Sequence, residues 1–389
     1  MILTLLVFLI ILSLLVLIHE LGHFLVAKKL GIKVEEFGFG FPPRLFGIKH
    51  GETLYSINLL PIGGFVKLYG EDEAGGGSIK IQDSRIKIQD KDRAFFAKTP
   101  WQRATVVIAG VVMNFILASI IFYVYLGMQN FTTEIPLIGS HTFFGVNQQK
   151  VEQIIVDGVS KNSPAEQAGM QLFSEITSLN GKKITSSSEF LDTINTSKGK
   201  AITVSWKDLT TQKTYSKTLT PRINPPKNQG AIGVKFYLAE TVRLTYKTFT
   251  QKLFSGMVHP INLMFYNFSI MKTLIAAAIA QHSSTPLNGA VSGPVGIYSV
   301  VGKIMELPIK ERILQILNLA GLLSISLAFF NVLPIPALDG GRLFFILFEG
   351  VTGKKVPENI EGRIHSIGMM VLMAFLVFIT FQDISHLLK

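Results

Sequence analysis

The chain alternates between long apolar runs and stretches in which apolar and polar residues take turns. Residues 1–27 are apolar almost throughout, and a membrane-crossing helix needs about 20 such residues. Nothing basic precedes Lys28, so this run reads as a retained helix and not as a cleaved signal peptide. Further spans are expected within residues 101–128, 310–340 and 366–382. Residues 34–70 behave differently. Glu36–Phe41 alternates, Pro42-Pro43 interrupts it, and Arg44–Ile48, Thr53–Leu60 and Phe65–Tyr69 follow as strands. Pro61-Ile62-Gly63-Gly64 between the last two reads as a turn. The segment is apolar but too broken to span, which fits a small sheet dipping into the membrane face.

Residues 140–222 are richer in Ser, Thr, Lys and Asn. Val151–Val156, Ile176–Leu179, Ala201–Trp206 and Thr214–Leu219 read as strands, while Ser163-Pro164-Ala165 and Ala168-Gly169 mark the start and stop of a helix. This is one inserted α+β domain, and Pro221–Gly230 leaves it as a stiff linker. Residues 223–309 are assigned to that linker and to two interfacial helices. Leu253–Ala280 is apolar but carries His259, Pro260, Asn262, Asn267 and Lys272, which argues against an ordinary span. Gly75–Gly77 is a flexible link. Ile79–Asp83 (IKIQD) recurs at Ile86–Asp90 and reads as exposed loop, two copies being too few for a solenoid.

The expected fold is therefore a polytopic α-helical membrane protein. Its spans are 1–27, 101–128, 310–340 and 366–382, with a cytoplasmic segment at 28–100, the domain at 140–222 and a cytoplasmic loop at 341–365. Composition agrees: 48% of the 389 residues are hydrophobic and the mean hydropathy is +0.40. Cysteine is absent, which excludes a disulfide framework and a thiolate metal site. The net charge of +11 falls partly on Lys28, Lys29 and Lys33 after the first span and on Arg342, Lys354, Lys355 and Arg363. The positive-inside rule puts these loops in the cytoplasm and both termini and the 140–222 domain outside. No basic patch carries interleaved aromatics, so nucleic acid is not an expected partner.

Within the first apolar run, His19, Glu20 and His23 form the pattern H-E-x-x-H. On a helix, positions i and i+4 share a face, so the two imidazoles can meet one metal while Glu20 acts as general base on an attacking water. An ionisable residue inside a span is costly and marks a functional site by default. A third ligand is needed at the same depth. The third span ends at Asn331-Val-Leu-Pro334-Ile-Pro336-Ala-Leu-Asp339-Gly340, where the prolines force extended backbone at Leu333–Ala337. Such backbone survives at membrane depth only when it is buried or lines a polar cavity. Asp339 emerges there on the cytoplasmic side and completes a His₂–carboxylate set for one zinc ion, the open pattern of a catalytic site. Asn331 is a candidate for holding substrate backbone or for supporting the ligands. A metal transporter would show internal repeats and broken helices in both halves, and the sequence has neither. A catalytically inactive membrane scaffold built around the inserted domain would have no use for Glu20.

Taken together, His19–His23, Asn331–Gly340, Pro61–Val66 (PIGGFV), Ala109-Gly110 with Asn114, and Gly293–Ile297 (GPVGI) resemble the site-2 protease family of intramembrane zinc metalloproteases, over nearly the whole chain. The resemblance implies a four-span core, a membrane-reentrant β-loop and a PDZ domain between spans two and three, closest to the bacterial branch with a single PDZ domain. It implies a protease of the bacterial cytoplasmic membrane engaged in regulated intramembrane proteolysis. Its substrates would be single-span membrane proteins, such as anti-sigma factors or remnant signal peptides, and a peptide or regulator would meet the PDZ domain. The matching stretches supply the substrate-binding candidates Asn331, Pro334, Pro336, Gly63, Gly64 and Phe65. Two positions depart from the pattern: Val111 stands where the family usually has proline, and Phe173-Ser174 where the PDZ consensus has Gly-Asp.

Overall fold

The computed structural model describes residues 2–71, 88–282 and 292–387. The Gly75–Gly77 link and the first IKIQD copy lie outside them, as does the start of the second. The chain divides into two compact units, Met1–Tyr125 with Phe254–Lys389, and Leu126–Leu253.

In the first unit, helix α1 (Ile2–Lys29) runs into strands β1 (Val34–His50) and β2 (Thr53–Leu68). The expected turn at Pro61–Gly64 lies inside β2, and the chain reverses at Gly51-Glu52. The hairpin folds over on itself. Phe37 pairs with Val66 on one side and Tyr55 on the other, while Phe46 pairs with Ile57. This makes four short rungs in the order 64–68, 34–39, 54–57, 46–50, with 64–68 on the edge nearest α1. Pairing on both sides of Phe37 explains how a sequence broken by proline still holds a sheet: each rung needs only four to six residues.

Helix α2 (Pro100–Met128) packs against α1 at a close approach. A Cβ at Gly22 would overlap the carbonyl oxygen of Ala109, and one at Gly110 would overlap Nε2 of His23. Below this seam Ala27, Ile32, Val34, Leu68, Phe95, Val106, Val107 and Ile346 form a shared apolar core.

The second unit is a seven-stranded antiparallel sheet. Its strands are β3 (Thr132–Pro136), β4 (Asn147–Val159), β5 (Ser174–Leu179), β6 (Lys182–Lys183), β7 (Ile202–Asp208), β8 (Thr214–Leu219) and β9 (Val234–Thr245). Their order is β3-β9-β4-β5-β7-β8, with β6 beside β5. Helix α3 (Pro164–Gln167) starts as expected: Pro164 follows the cap Ser163, whose side chain accepts from the Glu166 N–H. Helix α4 (Ser187–Thr196) buries Phe190 and Ile194 and is capped by Ser186. The 140–222 boundary is narrower than the folded unit. Residues 234–245, assigned by sequence to the linker, form β9, which pairs with both β3 and β4. Its polar alternation resembles a linker until its two partners are in view.

Residues 249–280 form one helix, α5 (Phe249–Ala280), with Pro260 inside it, and not two. Of the residues that argued against a span, His259, Pro260 and Asn262 are buried, together with Ser255 one turn earlier, while Asn267 and Lys272 stay exposed. The His259 ring packs edge-on to Phe122 of α2 at 5.0 Å. Five helices are consequently long and apolar enough to cross a membrane among the described residues, α5 included. After α6 (Pro294–Met305), α7 (Ile309–Val332) ends where Leu333 turns extended. Helices α8 (Asp339–Thr352) and α9 (Glu358–Leu387) complete the unit. Residues 341–365, expected as loop, thus hold most of α8, and α9 starts earlier than the expected 366.

Candidate metal centre

The helical spacing of His19 and His23 puts both imidazoles on the face of α1 that meets α2 and α8. Nε2 of His19 lies 2.8 Å from Oδ2 of Asp339, Nε2 of His23 lies 3.2 Å from the same oxygen, and the two Nε2 atoms are 3.2 Å apart. Two residues a helical turn apart thus converge with one 320 positions after the first. Asp339 is the first residue of α8, where the helix dipole favours a carboxylate. Glu20 offers an oxygen to the same group, all ligand atoms of His19, Glu20 and His23 lying within 4.8 Å of one another.

The proton positions bear on whether a metal fits. Nδ1 of His23 lies 2.9 Å from the carbonyl oxygen of Val106. A carbonyl only accepts, so Nδ1 carries a proton, and in the neutral, metal-binding ring Nε2 presents a lone pair. That lone pair faces an ionised carboxylate oxygen at 3.2 Å, an arrangement a cation would stabilise. Tetrahedral zinc with bonds of ~2.0–2.1 Å holds its ligand atoms about 3.3 Å apart, close to the spacings here. The side-chain amide of Asn114 sits 3.0 Å from Nδ1 of His19, and its Oδ1 has no partner among the described residues. With that oxygen turned to accept from Nδ1–H, His19 too presents its Nε2 lone pair, the arrangement usual for metal-bound histidine. The donor set fits zinc.

A cavity of about 530 Å³ opens beside this point, lined by Glu20, His23, Phe65, Val66, Asp339, Arg342 and His365, among others. The Val66 N–H donates to Oε2 of Glu20 at 3.1 Å, so the free edge of β2 holds the carboxylate. Arg342, one turn along α8 from Asp339, is fixed by Glu71 at 2.6 Å. Of the substrate-binding candidates, Phe65 lines the cavity. Gly64 is adjacent to Glu20, a Cβ built on it lying 3.8 Å from the Glu20 Cγ. Gly63, Asn331, Pro334 and Pro336 do not line the cavity. Asn331 is buried in the last turn of α7, Pro334 is exposed, and Pro336 abuts Gly368 of α9. Sequence reasoning missed Val66, Glu71, Arg342 and His365. Two of them gave a signal: Val66 ends the Pro61–Val66 stretch, and Arg342 falls three residues after Asp339.

A profile of Peptidase family M50 matches residues 7–375. A Clostridium perfringens protein named as a zinc metalloprotease is 33% identical over 96% of both chains. Zinc metalloprotease RasP of Shouchella clausii is 30% identical over 99% of both, and regulator of sigma-W protease RasP of Bacillus subtilis is 28% identical over 99% of both. Among solved structures, the PDZ domain of an SdrC-like protein of Listeria monocytogenes aligns with 26% of this chain and 93% of its own, at 20% identity and a TM-score of 0.19. The chain belongs to Peptidase family M50, the site-2 protease family of zinc metalloproteases.

Proposed function

We propose that the protein is an intramembrane endopeptidase, with His19, His23 and Asp339 holding one zinc ion and Glu20 as general base. It hydrolyses peptide bonds within or near the transmembrane segment of single-span membrane proteins, anti-sigma factors or remnant signal peptides among them. One observation carries this reading: the three ligand atoms converge within 3.2 Å, two of them on a helix apolar enough to cross a bilayer. Zinc supplies Lewis acidity at such a site, polarising a carbonyl and lowering the pKa of water to about 7. Glu20, steadied by the Val66 N–H, takes the proton of the attacking water and delivers it to the leaving amine. A helical substrate hides its carbonyls in its own hydrogen bonds, so it must be drawn out first. The 64–68 edge can hold the extended chain by strand addition, which sets the scissile bond beside Glu20.

The positive-inside rule supports a bacterial cytoplasmic-membrane enzyme with its site near the cytoplasmic face. Both termini and the 126–253 unit then lie outside, an orientation that takes α1, α2, α7 and α9 as the complete crossings and leaves α5 on the outer side, out of the count. We read that unit as a PDZ domain that meets a peptide or regulator.

The test compares membrane proteomes of cells carrying the wild-type or the Glu20→Gln protein. Single-span fragments should accumulate only in the mutant, and purified wild-type protein should cut them. A wild-type protein that binds zinc yet leaves every accumulated fragment intact would overturn the reading.

A further inference from the structure

His365 sits on α9 with no part in the donor set, yet it lines the same cavity as Glu20, His23 and Asp339. It is buried, 3% exposed. Its Nδ1 accepts the Ala337 backbone N–H at 2.9 Å. That bond settles the tautomer: a nitrogen that accepts has no proton, so the neutral ring carries its hydrogen on Nε2. This Nε2–H has no hydrogen-bond partner among the described residues. The ring of Phe345 lies 5.7 Å away and tilted by 59°, and it supplies no acceptor oxygen.

An unpaired buried donor is a rare and costly thing, and in a folded protein it calls for an explanation. Here the ring is held in one orientation by the Ala337 N–H. The loop from Leu333 to Leu338 that delivers Asp339 also supplies the N–H that orients His365, so carboxylate and imidazole are set by one piece of backbone. Preorganised donors of this kind stabilise the charge that appears on a carbonyl oxygen when water attacks it.

We propose that His365 is a catalytic residue whose Nε2–H donates to the carbonyl oxygen of the scissile peptide bond. It stays neutral and transfers no proton; Glu20 handles the proton balance. The assignment rests on the peptidase reading above.

The experiment uses full-length protein in detergent and a single-span peptide that accumulates in Glu20→Gln membranes. His365→Phe should keep its zinc and its KM within about threefold while kcat falls about a hundred- to a thousandfold, the usual cost of one such donor. His365→Gln, which can accept from Ala337 and still donate, should recover at least a tenth of the wild-type kcat. Independently of activity, the ¹⁵N spectrum of histidine-labelled protein should contain a neutral, Nε2-protonated ring that is missing from His365→Gln. The assignment is overturned if His365→Phe keeps kcat within threefold, if Gln is as slow as Phe, or if the ring is protonated on Nδ1. A zinc-loaded wild-type protein that does not cut the peptide overturns the peptidase reading and this assignment together, whereas a fully active His365→Phe overturns this assignment alone.

Discussion

His23 reaches across the α1–α2 seam to the main chain: its Nδ1 lies 2.9 Å from the carbonyl oxygen of Val106. A backbone carbonyl cannot be mutated away or titrated at ordinary pH, so the direction of the Nε2 lone pair is built into α2 itself. Purified protein should therefore hold about one zinc per chain. His19→Ala, His23→Ala and Asp339→Ala should each lose it, and Glu20→Gln should keep it. Asn114→Leu removes the amide beside His19 and should weaken zinc binding by about 10- to 100-fold, read by metal analysis in competition with a chelator. Full retention in Asp339→Ala would remove that residue from the ligand set.

Gly110 faces the two imidazoles, and an added methyl would overlap Nε2 of His23 and come within 2.7 Å of Cε1 of His19. The ring of His23 is pinned by Val106 and cannot swing clear. Gly110→Ala should thus abolish zinc binding in a protein that still folds. Gly127→Ala, on the same helix with nothing within 4 Å of the new Cβ among the described residues, should bind zinc normally. Equal zinc content in the two variants would contradict the packing described.

Arg103 on α2 and Glu349 on α8 meet at 2.7 Å, the arginine side chain 5% exposed. The pair ties the far end of α8 to the helix that carries Gly110 and Asn114, and so helps fix Asp339 at its near end. Removing one partner of a buried pair leaves an uncompensated charge, costing about 3–5 kcal/mol. Arg103→Met should lower the unfolding temperature in detergent well beyond Arg243→Met, which breaks an exposed pair with Glu134. Comparable melting of the two variants would show that the α2–α8 tie contributes little.

Asp208 closes the turn after β7, its Oδ1 accepting from the amides of Thr211 at 3.0 Å and Thr210 at 2.8 Å. These bonds favour the charged form and hold its pKa below the ordinary value, Thr211 contributing most. The sign follows: the stabilisation is complete above the ordinary carboxylate value and is lost as pH falls through the lowered one. Asp208→Ala should cost about 1 kcal/mol at pH 7, and the gap from wild type should close in acid. Emission of Trp206, packed in the core of this unit, reports it in a Trp101→Phe background. A gap that widens on acidification would refute the account.

Single cysteines can be placed cleanly because the chain has none. Ser188→Cys in the 126–253 unit should react with an impermeant thiol reagent in intact cells, and Lys91→Cys only after permeabilisation. Both positions are exposed, so equal labelling would overturn the proposed orientation.

The sequence revealed the metal chemistry better than the space around it. His19, Glu20 and His23 are legible because helical geometry fixes their relation locally, and Asp339 because two prolines force non-helical backbone beside it. The strands of the 140–222 stretch were legible where alternation was strong, as in Ile202–Asp208. β9 was not, since its residues acquire a sheet's meaning only from β3 and β4. His259 and Asn262 of α5 misled for a related reason: polarity within an apolar run looks the same whether it faces headgroups or a neighbouring helix. His365 carried no local signal at all. Its significance comes from a single hydrogen bond to Ala337, 28 positions away.

Gly22 has a consequence for traffic. With no side chain there, α1 rests directly on the backbone of Ala109 and Gly110. A polypeptide helix is about 10 Å wide with its side chains, and it could part this seam only by dragging the imidazoles off Gly110. That flank of the enzyme is a closed wall. The cavity instead reaches Phe65 and Val66 on one hand and Ser366 and Met369 of α9 on the other. If the proposed substrates arrive sideways through lipid, the opening this leaves them lies between a strand edge and the last helix.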